Sequence, residues 1–110
     1  MISFNTIAQL SEIDELSAQK PVIIFKHSTR CSISSAALSR FEKAYALEDA
    51  DALPVYFLDL LKHRDVSNEV AQHYHIAHQS PQTLLIKDGK CIHEATHFEI
   101  DLAEIKAGVN

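Results

Sequence analysis

The run Val22-Ile23-Ile24-Phe25 is the feature that most restricts how this chain can fold. It is apolar at every position, without alternation, which is the pattern of a central strand buried on both faces. Pro21 opens the run, and a polar turn, His27-Ser28-Thr29-Arg30, follows it. The other two prolines punctuate the chain in the same way. Pro54 precedes a second strand, Val55 to Leu60, and Pro81 a third, Gln82 to Lys87, each standing where no ladder hydrogen bond is lost.

Helical signals fill the intervals. Ser11 to Gln19 reads as a helix, with Ser11 as N-cap and Asp14 three residues on. After the polar turn, Ile33, Ala36, Ala37, Phe41, Ala44 and Tyr45 recur at helical spacing and give a long helix one apolar face. Asp65 caps a helix that carries Val66, Val70 and Tyr74 on one stripe. Asp101 and Glu104 form a capping box for a final helix, which Gly108 ends.

Asp88-Gly89 is a strong hairpin signal, because a type I′ turn needs positive φ at both of its central residues. The fourth strand then runs from Lys90 to Ala95. A short N-terminal strand is expected near Phe4 to Ile7, and Glu48 to Asp51 reads as a solvated acidic loop. The order is β-α-β-α-β-β-α, with the first two main strands parallel and the hairpin antiparallel to its neighbour. That is an α/β, thioredoxin-like arrangement: a central mixed sheet of about four strands flanked by helices, in one domain over residues 1–110.

Composition narrows the function classes. At 110 residues and 46% hydrophobic, with two glycines and three prolines, the chain can hold a core without staples. Its net charge is −5 and no Lys/Arg stripe is present, which argues against nucleic acid as a partner. The longest apolar run falls far short of the roughly 20 residues that span a bilayer, so no membrane association is expected. The first ten residues carry no basic group ahead of an apolar block and do not read as a signal peptide. Two cysteines in that setting point to a reducing compartment, and the expected location is cytoplasmic.

The chemistry concentrates at Cys31, where the buried strand has ended and a helix begins. Unpaired N–H groups and the positive end of the helix dipole favour the thiolate there, and Arg30 and His27 can add positive charge. Polar neighbours, Thr29, Arg30 and Ser32, disfavour a buried site. The chain reads Cys31-Ser32-Ile33-Ser34 where a dithiol oxidoreductase would read Cys-x-x-Cys. Ser34 could hydrogen-bond the thiolate but cannot close an internal disulfide, so exchange must stop at a mixed disulfide until another thiol attacks.

In a thioredoxin fold the proline before the third strand is cis and faces the cysteine across a groove. Ser80-Pro81 takes that place, with His78 and His97 as further groove residues. The cluster His73, His75 and His78 invites a metal reading. Spacing of two residues on a helix sends ligands to opposite faces, however, and no cysteine is near, so no metal is expected. If Asp88-Gly89 is the turn, Cys91 faces Ile86. That is too far along the strand to reach Cys31, which leaves Cys91 as a packing residue.

Three stretches, Phe25 to Ser34, His78 to Lys90 and Thr96 to Ile100, resemble the YtxJ-type monothiol bacilliredoxins, and Arg64 to Ile76 fits the same pattern. The resemblance covers nearly the whole chain. It implies a thioredoxin fold and a cytoplasmic redox role in the stress response, with bacillithiol, a low-molecular-weight thiol, as co-substrate and no bound cofactor. The implied partners are proteins carrying mixed disulfides. Cys31 falls at the family's active cysteine and Pro81 at its cis-proline. Ser32 departs from the pattern, which has proline there, and leaves one more backbone N–H beside the sulfur. The competing readings are a monothiol glutaredoxin-like iron–sulfur carrier, a peroxidase and a non-catalytic adaptor. The first resembles a Cys-Gly-Phe-Ser site, and Ser32-Ile33 lacks the glycine. The second would need proline where Ile24 stands.

Overall fold

A computed structural model describes residues 1–109, and for Leu47 and Glu48 the backbone only. Five strands form one mixed sheet: β1 (Ile2–Ser3), β2 (Val22–His27), β3 (Val55–Asp59), β4 (Gln82–Lys87) and β5 (Lys90–Thr96), in the spatial order β1-β3-β2-β4-β5. β1, β3 and β2 run parallel, whereas β4 is antiparallel to β2 and β5 to β4. β2 is thus central and buried at every residue, as its unbroken apolar run requires.

The helices are α1 (Gln9–Ser17), α2 (Ser32–Ala44), α3 (Leu47–Ala52), α4 (Arg64–Tyr74) and α5 (Leu102–Ala107), with a 3₁₀ turn at His97–Glu99. They divide between the two faces of the sheet. Leu10 and Ile13 of α1, with Val66, Val70 and Tyr74 of α4, pack on Val22, Ile24, Leu58, Leu84 and Ile86. Ala37 and Phe41 of α2, with Leu102 and Ile105 of α5, pack on Ile23, Phe25, Val55 and Leu85. Alternate residues of β2 feed the two cores, so the strand is the shared wall between them.

Several local expectations are corrected. The sheet has five strands rather than about four. Its first strand is Ile2–Ser3 rather than Phe4 to Ile7, and Phe4 turns into the core, fully buried. α1 begins two residues before Ser11, because the Gln9 side-chain oxygen accepts from the N–H groups of Asn5 (2.7 Å) and Thr6 (3.0 Å) and fixes the preceding turn. α4 is entered through His63, and Asp65 lies within its first turn, where its charge opposes the positive end of the dipole.

The buried stripe of α2 is Ser34, Ala37 and Phe41 rather than one through Ile33, Ala36 and Ala44. Glu48 to Asp51 lies in the helix α3, where Asp49 accepts from the Ala46 N–H (2.9 Å) and pairs with Lys106 (2.9 Å); the Glu48 side chain is outside the described residues. At α5 the Asp101 carboxylate accepts from the Ala103 N–H (2.9 Å), and Gly108 follows with helical φ of −68° rather than in the left-handed region.

The hairpin forms as its turn chemistry demands, with Asp88 at φ 52° and Gly89 at φ 74°. Lys87 pairs with Lys90 and Cys91 with Ile86, but a bulge between Leu85 and Ile86 makes Ile92 an extra residue. Cys91 therefore packs against the α1/α4 core while Ala95 joins the α2/α5 core, and Thr96 stands opposite Gln82.

Candidate active site

β2 delivers the site. After its last residue, His27, the chain turns through Ser28, Thr29 and Arg30, and the Cys31 N–H closes that turn on the Ser28 carbonyl at 3.2 Å. Cys31 is the N-cap of α2, in extended geometry (φ −107°, ψ 120°), and its carbonyl accepts the first helical bond from Ser35 N–H at 3.0 Å. The thiol is half-exposed and makes no side-chain capping bond. Its helix has no acidic residue in the first turn, where the leading N–H groups have no partner within the helix. Thr29 and Arg30, which precede Cys31 in the turn, are both exposed.

Ser34 does not serve the sulfur as expected. It is fully buried, accepts from the Ser28 N–H at 3.0 Å and meets His27 Nδ1 at 2.7 Å. The hydroxyl thus pins the turn and the helix to the end of β2. His27 does not supply the positive charge expected of it either. Burial pushes its pKa below the ordinary histidine value, only partly countered by Asp59 and Glu42, so the ring is neutral near pH 7. A neutral Nδ1 that accepts from the Ser34 hydroxyl leaves the ring proton on Nε2. The ring packs on Phe57, with centroids 5.5 Å apart.

The loop Ala77 to Pro81 arrives at the same end of the sheet, because β4 runs antiparallel to β2 and Gln82 pairs with Lys26. The Ser80–Pro81 peptide is cis, as the fold reading required. The Pro81 carbonyl accepts from the His97 N–H at 3.1 Å, which ties the 3₁₀ turn to the loop. His97 holds φ 53°, a conformation uncommon outside glycine. The Ser80 hydroxyl is buried and has no partner among the described residues. Gln82, fully buried, braces the loop through the Ala77 carbonyl (3.1 Å) and Glu94 (3.0 Å).

Sequence reasoning missed Lys26, whose side chain is fully buried on the α4 side of β2. Its ammonium donates to the Ser67 carbonyl at 3.1 Å and lies 3.3 Å from His78 Nδ1. Burial lowers its pKa from 10.5 to about 8. A lysine at the end of an apolar run reads as the exposed edge of the strand, and no local sequence signal opposes that reading.

The clustered histidines go separate ways. His73 donates to Asp14 (2.6 Å), His75 ends α4 in the left-handed region, and His78 meets Lys26 and Ser67. Among the described residues no three His, Cys, Asp or Glu side chains converge as a metal site would need.

The sequence profile of the monothiol bacilliredoxin BrxC family matches residues 2–105. Among solved structures, one described as a candidate oxidoreductase with a thioredoxin fold is 26% identical, with a TM-score of 0.81 over 99% of this chain and 93% of that one. Thioredoxin from Fasciola hepatica aligns over 100% of both chains at 16% identity, with a TM-score of 0.76. Thioredoxin from Malassezia sympodialis aligns over 99% of this chain and 88% of its own at 18% identity, with a TM-score of 0.74. The last two show the fold. No helix among the described residues is long and apolar enough to cross a membrane.

Proposed function

The chain belongs to the monothiol bacilliredoxin BrxC family, and on that premise we propose that it exchanges thiols and disulfides through Cys31 alone. Its substrates on this reading are mixed disulfides between protein cysteines and a low-molecular-weight thiol, bacillithiol first among them, in the cytoplasm. The Cys31 thiolate attacks one sulfur of the substrate disulfide. A Cys31–S–S–R bond forms, the old S–S bond breaks, and the other half leaves as thiolate. A second small thiol then attacks the new disulfide and regenerates Cys31. No bound cofactor takes part.

The observation that carries the reading is the pair of residues at the head of α2. Cys31 stands partly exposed at the N-cap and makes no side-chain capping bond, and the residue three positions on is a buried serine engaged with His27 and Ser28. Attack by Cys31 is open, and internal resolution from the first turn is closed. On this reading Pro81 and Ser80, at the end of β4 that faces the carboxyl end of β2, border the substrate groove, with His78 and His97 at its margins. Arg30, the exposed residue that precedes Cys31, contributes positive charge to a departing or attacking thiolate on this reading.

The test is intact-mass analysis after exposure to oxidised bacillithiol, oxidised glutathione and coenzyme A disulfide in parallel. One adduct per chain on Cys31, formed fastest with bacillithiol, is the expected result. No adduct with any of the three, or one that forms equally well in Cys31→Ser, would refute the reading.

A further inference from the structure

Lys26 is the only lysine among the described residues that is fully buried, and none of the ion pairs found there involves it. A buried charge without a counter-charge is expensive, and apolar residues normally take such places. This one sits at the carboxyl end of the central strand, one residue before the His27 that pins α2.

An ammonium group can only donate. His78 Nδ1, 3.3 Å from the lysine nitrogen and 3.2 Å from the Ser67 hydroxyl, must therefore accept, which places the imidazole proton on Nε2. Partial burial first, then the charges of Lys26 and Arg64, hold that ring in its neutral form. The residue is otherwise exposed, at the head of the loop that leads to cis-Pro81. A fixed N–H donor therefore stands at the site end of the sheet, backed by two positive charges. The whole chain carries −5, so this positive field is local.

We infer that His78 Nε2–H, backed by Lys26 and Arg64, binds the carboxylate of an anionic disulfide substrate and selects anionic small thiols over uncharged or cationic ones. The inference rests on Cys31 being the exchanging thiol. His78 is the contacting group, and Lys26 is a positioning residue that acts through it.

A purely structural clamp between β2, α4 and the loop would use the same bonds, so the test must read charge. Three symmetrical disulfides of similar size serve: 3,3′-dithiodipropionate, bis(2-hydroxyethyl) disulfide and cystamine, which are anionic, uncharged and cationic. Each gives Cys31–S–S–R and releases R–S⁻, and intact mass follows the rate for the wild type, Lys26→Met and His78→Ala. His78 is exposed, so its substitution removes no packed side chain and gives a second reading should Lys26→Met fail to fold. Both changes should slow dithiodipropionate by about tenfold, the scale of one charge-assisted hydrogen bond, and leave the uncharged disulfide within about twofold. Cystamine should react no more slowly than with the wild type. Equal slowing of all three, or no change with the anionic one, would overturn the inference. Failure of the wild type to react with any of them would instead overturn the reading of Cys31 on which it rests.

Discussion

Cys31 and Cys91 lie at opposite ends of the same sheet. Cys31 follows the carboxyl end of β2, at a helix head, and makes no side-chain capping bond; both cysteines are partly buried. Cys91 sits on the edge strand opposite Ile86, which itself pairs with Val22 at the start of β2. There the sulfur donates to the His93 carbonyl at 3.3 Å and packs against the α1/α4 core. Burial pushes its thiol upward, so the nucleophilic form is disfavoured. The length of β2 between the two ends is roughly 17 Å at about 3.3 Å per residue, and a disulfide needs Cα atoms within about 7 Å. On the proposed function, position in the fold rather than residue type separates a nucleophile from a packing group.

The largest effect that could break this contrast is the loss of one sulfur at a time. Cys31→Ser should abolish reduction of a small-thiol–protein mixed disulfide in a coupled assay. Cys91→Ala should keep the rate within about twofold, a change of well under 1 kcal/mol in the barrier. A tenfold loss in Cys91→Ala with the fold intact would end the monothiol account.

Ser34→Cys would sharpen the contrast by placing a second sulfur in the first turn of α2. The small-thiol adduct on Cys31 should then disappear without added thiol and leave a product two mass units lighter than the dithiol. A wild-type adduct that decays equally fast would show that internal resolution already exists.

Stability measurements come next in size. Ser34→Ala leaves the Ser28 N–H and His27 Nδ1 without their buried partner, and should cost about 1–3 kcal/mol in urea denaturation. No loss would mean that the turn before Cys31 does not depend on this pin. Lys26→Met should act in the opposite direction. The folded-state pKa of about 8 lies below the ordinary 10.5. Below pH 8 both states hold the proton, and the cost of burying the charge is present in full. As pH rises from 8 towards 10.5 the folded protein releases the proton first, and the cost fades. That difference corresponds to on the order of 3 kcal/mol, so Lys26→Met should gain about 1–3 kcal/mol near neutrality, shrinking above pH 8. A gain independent of pH would show that the charge is not its source.

The smallest effect is expected at Cys91 itself, where the half-buried side chain of Cys91→Ala gives up about 1 kcal/mol of packing. Iodoacetamide should alkylate Cys31 well before Cys91 in the folded protein, and peptide mapping would show the order.

The sequence revealed the frame of this molecule more fully than its inner bonds. The central strand, the helix that begins at Cys31, the hairpin register at Lys87 and Lys90, and the place of Pro81 all follow from signals a few residues long. The His27–Ser34 and Lys26–His78 contacts do not. β2 is buried on both faces, so its sequence has no alternation to say that Phe25 and His27 face α2 while Ile24 and Lys26 face α4. A lysine there reads as an exposed boundary, and only the packing of α4 and the loop over it shows otherwise. Ser34 was legible as the residue in place of a second cysteine. Its real partners, His27 and Ser28, depend on how the turn at residues 28–30 folds back, which no local pattern encodes.

The account turns on one sulfur carrying the exchange while the other stays silent. Peptide mapping of the folded monomer after treatment with oxidised bacillithiol tests this most directly. The expected result is a single adduct on Cys31, with the Cys91 peptide recovered as free thiol. An adduct on Cys91, or a Cys31–Cys91 crosslinked peptide from monomeric protein, would contradict it.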